Sequence, residues 1–90
     1  MEKRNFIVVS KFGLHAKPAT SLVDEANKYD CDIYLSFEGI SINLKSIMGL
    51  MSLGVPSGSL MSIEFAGIDE KVAVSAISDF LLKSEIAKTE

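Results

Sequence analysis

Apolar and polar residues alternate along three short stretches of the chain, a pattern typical of half-buried β-strands. A β-rich run predicts a first strand over about residues 3–9. Alternation over residues 33–37 and 40–42 predicts two strands that the two-residue turn Glu38-Gly39 joins into a hairpin. A fourth strand is predicted over residues 61–65. These strands are expected to form one sheet.

Two other stretches repeat apolar residues every three to four positions, which is typical of helices that bury one face. Residues 16–28 form the first, with Pro18 in the first turn, where its missing N–H removes no helical hydrogen bond. A short helix is predicted from Ser46 to Leu53, and a last helix is predicted to begin after Asp69 as its N-cap. The apolar face of the last helix is expected to contain Ala73, Ala76, Ile77, Phe80 and Leu81.

The predicted order of elements is βαββαβα, and it defines the fold class. Amphipathic helices and half-apolar strands each need a covering surface, which a sheet with helices on one side provides. We therefore expect an α+β protein with a single domain over residues 1–90. Its expected architecture is an open-faced β-sandwich with a four-stranded, mainly antiparallel sheet and three helices on one side.

Composition narrows the possible functions. The net charge is −3, and the scattered lysines form no basic cluster, so direct nucleic-acid binding is not expected. No stretch approaches the length of a membrane span, and the N-terminal apolar run is too short for a signal peptide, so a cytoplasmic protein is expected. The single cysteine, Cys31, is expected to be a small buried residue at the start of a strand.

His15 is the only histidine, and it lies where the first predicted helix begins. The first turn of a helix has N–H groups without helical acceptors, so it attracts anions. Because Pro18 has no N–H, the donors expected near His15 are those of Ala16, Lys17 and Ala19. A neutral imidazole nitrogen is a competent nucleophile, and the Lys17 charge would stabilise a transferring phosphoryl group. Such a site would suit a phosphohistidine carrier rather than a free-standing enzyme, but on pattern alone a chemical role for His15 is the minority interpretation.

Other interpretations of the same residues remain open. A lone histidine is more often a surface residue or a cap than a nucleophile. One histidine without nearby cysteines cannot supply the ligands of a metal site, and the chain offers no evident cofactor motif, so neither group is expected. Ser46 is either a simple N-cap or a cap that also accepts a regulatory phosphate. The helix after it is apolar on nearly every side, so it either lies wholly in the core or exposes a partner-binding surface.

Two runs of the sequence resemble the HPr family, the histidine-containing phosphocarriers of the bacterial phosphoenolpyruvate:sugar phosphotransferase system. The first resembles the active-site signature of that family and reads Gly13-Leu14-His15-Ala16-Lys17-Pro18-Ala19-Thr20. The second resembles the regulatory-serine signature in its low-GC Gram-positive form and reads Asn43-Leu44-Lys45-Ser46-Ile47-Met48-Gly49-Leu50-Met51-Ser52-Leu53-Gly54.

The resemblance implies a function and a set of partners. Enzyme I would phosphorylate His15 at the expense of phosphoenolpyruvate, and Enzyme IIA domains would receive the phosphoryl group. HPr kinase/phosphorylase would phosphorylate Ser46, and the product would act with catabolite control protein A. A monomer is expected. Besides His15 and Lys17, the family pattern implies phosphoryl stabilisation at Ala16 and Pro18 and partner docking at Thr20, Ile47, Met48 and Met51.

Two positions depart from the family pattern. Lys17 stands where the signature has arginine, so the charge is kept but the planar two-pronged donor is lost. Phe12 stands where the family usually has a small polar residue. The sequence therefore leaves three functions open: a phosphocarrier, a mainly regulatory relative acting through Ser46, and a binding module without phosphotransfer.

Overall fold

The computed structural model describes all 90 residues as five strands and three helices. In chain order these are β1 (Glu2–Val8), α1 (Ala16–Ala26), β2 (Asp32–Phe37), β3 (Ile40–Asn43), α2 (Ile47–Leu53), β4 (Leu60–Ala66), α3 (Glu70–Lys83) and β5 (Ala87–Thr89). The seven predicted elements are confirmed in type and order, and β5 is an additional strand that the sequence pattern does not predict.

The five strands form one antiparallel sheet in the order β3-β2-β4-β1-β5. Phe37 pairs with Ile40 across the two-residue turn between β2 and β3. Both turn residues have positive φ, 51° at Glu38 and 81° at Gly39, as the favoured two-residue hairpin turns require. The predicted hairpin is therefore confirmed.

One apolar core lies between the sheet and the helices. Alternate residues of β1, β2 and β4 are buried, which places one face of the sheet against the helices and leaves the other face open. All three helices contribute to the same core, so the open-faced architecture is confirmed. The largest fully buried side chains are Phe6, Phe65, Leu22, Ile33, Leu35, Leu44, Leu50, Met61, Ile63, Ile77, Leu81 and Val8.

None of the helices is both long enough and apolar enough to cross a membrane.

Asp69 lies at the N-cap position of α3, as predicted, but its side chain does not cap the helix. Its carboxylate instead accepts hydrogen bonds from the backbone N–H groups of Asp30 and Cys31, each at 2.8 Å. These hydrogen bonds, the one from Asp30 above all, hold the pKa of the Asp69 carboxyl below its usual range. The capping prediction is therefore wrong in its mechanism, because this carboxylate joins the start of α3 to the residues before β2.

Cys31 is buried, as expected. Burial and the nearby Asp69 carboxylate raise the pKa of the Cys31 thiol to about 11. At neutral pH the thiol therefore stays protonated and takes part in the core as a small apolar group.

The C-terminal strand fixes the chain just before the site described below. Ala87 of β5 pairs with Val8 of β1. The carbonyl of Ile86 accepts hydrogen bonds from the N–H groups of Val9, at 2.9 Å, and Ser10, at 3.2 Å. The loop that leads from β1 to α1 therefore begins from a fixed point.

Candidate functional site

The loop between β1 and α1 is held at several points of its backbone. The Gly13 N–H donates to the Ser10 carbonyl at 3.0 Å, and the Ser10 hydroxyl donates to the Gly13 carbonyl at 2.7 Å. The Leu14 N–H donates to the Val55 carbonyl at 2.9 Å, and the Leu14 side chain is buried. These contacts fix the backbone just before His15.

Gly13 is the residue that allows this loop to pack closely. Its φ is +74°, and a Cβ added there would lie 2.3 Å from the Val55 carbonyl oxygen. Any side chain would therefore meet both an unfavourable backbone conformation and a backbone atom. The loop needs glycine at this position for the turn and for the close approach.

His15 is the N-cap residue of α1, with the extended backbone angles φ −80° and ψ −173°. Its carbonyl accepts the first helical hydrogen bond, from the Ala19 N–H at 2.9 Å. Its imidazole caps nothing and is exposed to solvent, without a hydrogen-bond partner in the protein. The sequence prediction that His15 begins the helix is confirmed, and the ring is free to react.

The N–H groups of Ala16 and Lys17 have no acceptor in the protein. They are thus open donors at a helix start, where the helix dipole also favours an anion. The expectation that Ala19 would offer a third donor is wrong, because its N–H already binds the His15 carbonyl. Pro18 has no N–H, so two backbone donors remain beside the imidazole.

A shallow depression of about 370 Å³ lies beside the imidazole. It brings together three of the predicted site residues, since His15, Lys17 and Pro18 all line it. No sequence pattern indicates that α3, the residue before β5 and three serines complete it. The full lining is Ser10, His15, Lys17, Pro18, Ser21, Phe80, Ser84 and Ile86.

Thr20 is exposed one turn into α1, where its hydroxyl donates to the Ala16 carbonyl at 2.7 Å. This hydrogen bond satisfies the hydroxyl within the helix. Thr20 does not line the depression. Its place is on the outer surface of α1, outside the depression.

Ser46 is the N-cap of α2, and its hydroxyl oxygen accepts a hydrogen bond from the Gly49 N–H at 3.2 Å. This confirms the predicted cap. Three large apolar residues of the same helix are exposed: Ile47 at 37%, Met48 at 81% and Met51 at 43%. Leu50 is the one residue of α2 that is buried in the core, so the helix exposes an apolar patch to solvent. This result excludes the alternative that α2 lies wholly in the core.

Phe12 also contacts the imidazole, and no sequence pattern indicates this contact. The Phe12 and His15 rings lie with their centroids 6.0 Å apart and their planes at 77°. The Lys11 ammonium lies over the Phe12 ring, 5.4 Å from its centroid. An aromatic side chain therefore lies beside His15, and a lysine lies over that aromatic ring.

Comparisons with known proteins agree with this geometry. The family described as "PTS HPr component phosphorylation site" matches residues 2–83. A histidine-containing phosphocarrier protein of Mycoplasma is 33% identical, has a TM-score of 0.90, and covers 94% of this chain and 97% of its own. The protein described as HPr-C-His from Thermoanaerobacter tengcongensis is 37% identical, with a TM-score of 0.88 and 96% of each chain covered.

A further relative is Crh, described as the catabolite repression containing protein of Bacillus subtilis. It is 39% identical, has a TM-score of 0.71, and covers 82% of this chain and 85% of its own. With this fold and an exposed histidine at the start of α1, the chain falls in the class of histidine-containing phosphocarrier proteins. The chain belongs to the HPr family of phosphocarrier proteins of the phosphotransferase system.

Proposed function

We propose that this chain accepts a phosphoryl group on His15 from Enzyme I, which takes it from phosphoenolpyruvate, and passes it to sugar-specific Enzyme IIA domains. The observation that carries the proposal is the exposed imidazole at the start of α1, which has no hydrogen-bond partner and stands beside two open N–H donors. Membership of the HPr family supports the same transfer. The chain acts as a carrier between proteins, and its depression is too shallow to enclose a substrate.

The chemistry follows from the side chains present. A ring nitrogen of His15 attacks phosphorus, a P–N bond forms, and the bond between phosphorus and the donor's leaving group breaks. The other ring nitrogen of His15 gives up its proton, and the departing donor group takes up one proton. The N–H groups of Ala16 and Lys17 then face the phosphoryl oxygens, and Pro18 lines the same depression.

Lys17 supplies the positive charge of the site. Its side chain lines the depression beside His15, where negative charge passes between two nucleophiles during transfer. Preorganised positive groups stabilise such a transition state more than the ground state, so their effect falls on rate. Lysine offers a compact charge on a flexible stem, whereas arginine would offer two aligned donors.

The exposed apolar patch of α2 supports a docking role. Helices α1 and α2 contact one another, and the Leu14 N–H before α1 donates to the carbonyl of Val55, two residues after α2, so the end of α2 lies near the start of α1. An apolar surface of adaptable methionines suits several partners. We assign docking of Enzyme I and Enzyme IIA to Ile47, Met48 and Met51, with Ala16, Lys17 and Thr20 at its border.

The decisive experiment is incubation with Enzyme I and labelled phosphoenolpyruvate. One acid-labile phosphoryl group per chain is expected, and His15→Ala is expected to carry none. Treatment with acid separates this label from a phosphoserine, which survives it. A His15→Ala protein that labels fully would contradict the carrier function.

Ser46 supports a second, regulatory activity of the same protein. The residue is exposed at the start of α2, next to the docking patch, so a phosphate there would add charge where Enzyme I binds. We assign its phosphorylation to HPr kinase/phosphorylase with ATP and its readout to catabolite control protein A. Ser46→Asp is expected to accept phosphate from Enzyme I more slowly. Equal kinetics across a range of carrier concentrations would count against this mechanism.

The alternative is a mainly regulatory protein that acts through Ser46 with little sugar-transport flux. The likeness to Crh and the lysine at position 17 favour it. Phosphoryl transfer onward from His15 to an Enzyme IIA domain separates the two functions. Fast transfer supports the carrier, whereas labelling of His15 without onward transfer supports the regulatory protein.

A further inference from the structure

Phe12 is a large aromatic residue that the fold does not bury. Its side chain is 72% exposed, so it contributes little to the core. Its ring nevertheless meets the His15 ring at a centroid distance of 6.0 Å and an angle of 77°. Aromatic pairs prefer this edge-to-face arrangement, at centroid distances of about 4.5–7 Å.

The backbone between the two rings is held in place. Gly13 and Leu14 separate them, and the contacts of these residues with Ser10 and Val55 fix the path of the chain. Both rings therefore leave the backbone from set positions. Their contact follows from the loop conformation and does not require the loop to close.

No hydrogen bond fixes the orientation of the His15 imidazole. It makes no hydrogen bond within the protein, and it is exposed. An exposed ring without a partner exchanges between side-chain rotamers within nanoseconds. A nucleophile that must meet phosphorus in line loses rate when it samples other orientations.

We propose that Phe12 is a positioning residue for His15: its ring holds the imidazole edge-to-face in one orientation and so speeds phosphoryl acceptance. This inference rests on the proposed function only in that the histidine is the acceptor. It concerns the orientation of the ring, whichever protein supplies the phosphoryl group.

Lys11 extends the same arrangement. Its ammonium lies over the Phe12 ring, where a cation is attracted to the electrons of the aromatic face. The Lys11 charge therefore lies against the aromatic ring that contacts the imidazole. Removing that charge without touching the aromatic pair separates the two contributions.

The first test uses the free protein. Because His15 is the only histidine, its ring protons give a single set of NMR signals. Phe12→Leu keeps an apolar side chain but removes the ring, and it is expected to shift these signals toward the values of a free histidine. Phe12→Tyr is expected to retain the parent values. Unchanged signals in Phe12→Leu would overturn the proposal.

The second test measures phosphorylation by phosphoramidate, a small donor that needs no protein partner. Phe12→Leu is expected to accept phosphate about 2- to 10-fold more slowly, as the strength of an aromatic pair implies, and Phe12→Tyr is expected to recover the rate. Lys11→Met is expected to lose less than Phe12→Leu. Equal rates in Phe12→Leu and the parent, or failure of Phe12→Tyr to recover the rate, would overturn the positioning role.

With Enzyme I as donor, a positioning role predicts that Phe12→Leu lowers kcat. An effect confined to KM would show that Phe12 is a docking contact for Enzyme I and would overturn the proposal. The two proposals fail differently. A chain that takes phosphate on His15 from phosphoramidate but never from Enzyme I would contradict the proposed function, while the Phe12 comparison would still decide the positioning role.

Discussion

Helices α1 and α2 both begin at a residue with extended backbone angles, His15 in one and Ser46 in the other. The Ser46 hydroxyl accepts from the Gly49 N–H, whereas α1 has Pro18 at that position, with no N–H to cap, and the His15 ring points to solvent. In both helices the first two N–H groups have no acceptor in the protein. The start of α1 therefore differs from that of α2 in its exposed imidazole and not in the number of open donors.

The start of α3 shows a third arrangement. Asp69 has the side chain of a good N-cap, yet its carboxylate binds the backbone of Asp30 and Cys31. The same position in three helices therefore holds an exposed imidazole, a local cap and a long-range attachment. Substitutions at these positions can separate the three roles.

The largest effect is expected at the start of α1, for Lys17→Ala. Loss of a charged donor from a transfer site costs on the order of 2–4 kcal/mol, and the exposure of Lys17 places it at the lower end. Transfer from phosphorylated Enzyme I, measured by rapid quench, is therefore expected to fall by at least roughly tenfold. Lys17→Arg is expected to match the parent or exceed it modestly. Lys71→Ala is the control, because Lys71 lies at the start of α3, away from the depression. A Lys17→Ala protein as fast as the parent would show that the backbone N–H groups stabilise the phosphoryl group without Lys17.

Gly13→Ala is expected to have the next largest effect, on stability. Alanine at positive φ costs about 1–2 kcal/mol by itself, and here its Cβ would also meet the Val55 carbonyl oxygen. Gly58→Ala is a matched control, since its φ is +88° and nothing lies within 4 Å of the added Cβ. Denaturant unfolding is expected to show a clearly larger loss for Gly13→Ala. Equal losses would mean that the loop before α1 can move away from Val55.

A smaller effect is expected when the two N-caps are compared directly. Ser46→Ala is expected to lower the free energy of unfolding by about 1 kcal/mol, because the Gly49 N–H loses its acceptor. His15→Ala is expected to change it by no more than about 0.5 kcal/mol, since the imidazole makes no hydrogen bond in the protein and its pair with the Phe12 ring is exposed to solvent. Urea unfolding of both variants tests this. A large loss for His15→Ala would show that the histidine stabilises α1 after all.

The smallest effect is expected for the pH dependence that Asp69 confers. Its pKa is lowered in the folded state, so its stabilisation is present above the ordinary carboxyl pKa and is lost as pH falls through the lowered value. Asp69→Asn is therefore expected to be less stable than the parent near pH 7, and the difference is expected to shrink in acid. Thermal melts from neutral to acidic pH provide the measurement. A difference that stays constant with pH would show that the charge of Asp69 is not what stabilises the contact.

Local features of this chain were predictable from sequence, and distant ones were not. Ser46 followed by an apolar run predicts a cap that forms within one turn of helix, and the cap is found. Asp69 before an apolar run has the same local pattern. Its carboxylate, however, accepts from the N–H groups of residues 38 and 39 positions earlier, which no local pattern reveals. The contact between Phe12 and His15 also depends on a loop whose path the Val55 carbonyl determines.

The strand β5 shows the same limit. It has three residues, and only Ala87 among them is buried, so no alternation distinguishes it from a loop. Its structure comes from pairing with β1 at the other end of the chain. The predicted order of the remaining elements depends on patterns of four or more residues, which is why it agrees with the structure.

The strand order has a consequence for how the protein is made. Strand β1 pairs only with β4 and β5, so Phe6 and Val8 have no partner strand until residues beyond 60 leave the ribosome. At roughly 5–20 residues per second, the first strand waits about 3–10 s during synthesis. The loop that carries His15 directly follows this strand. His15 therefore reaches its final position only after β4 has been synthesised.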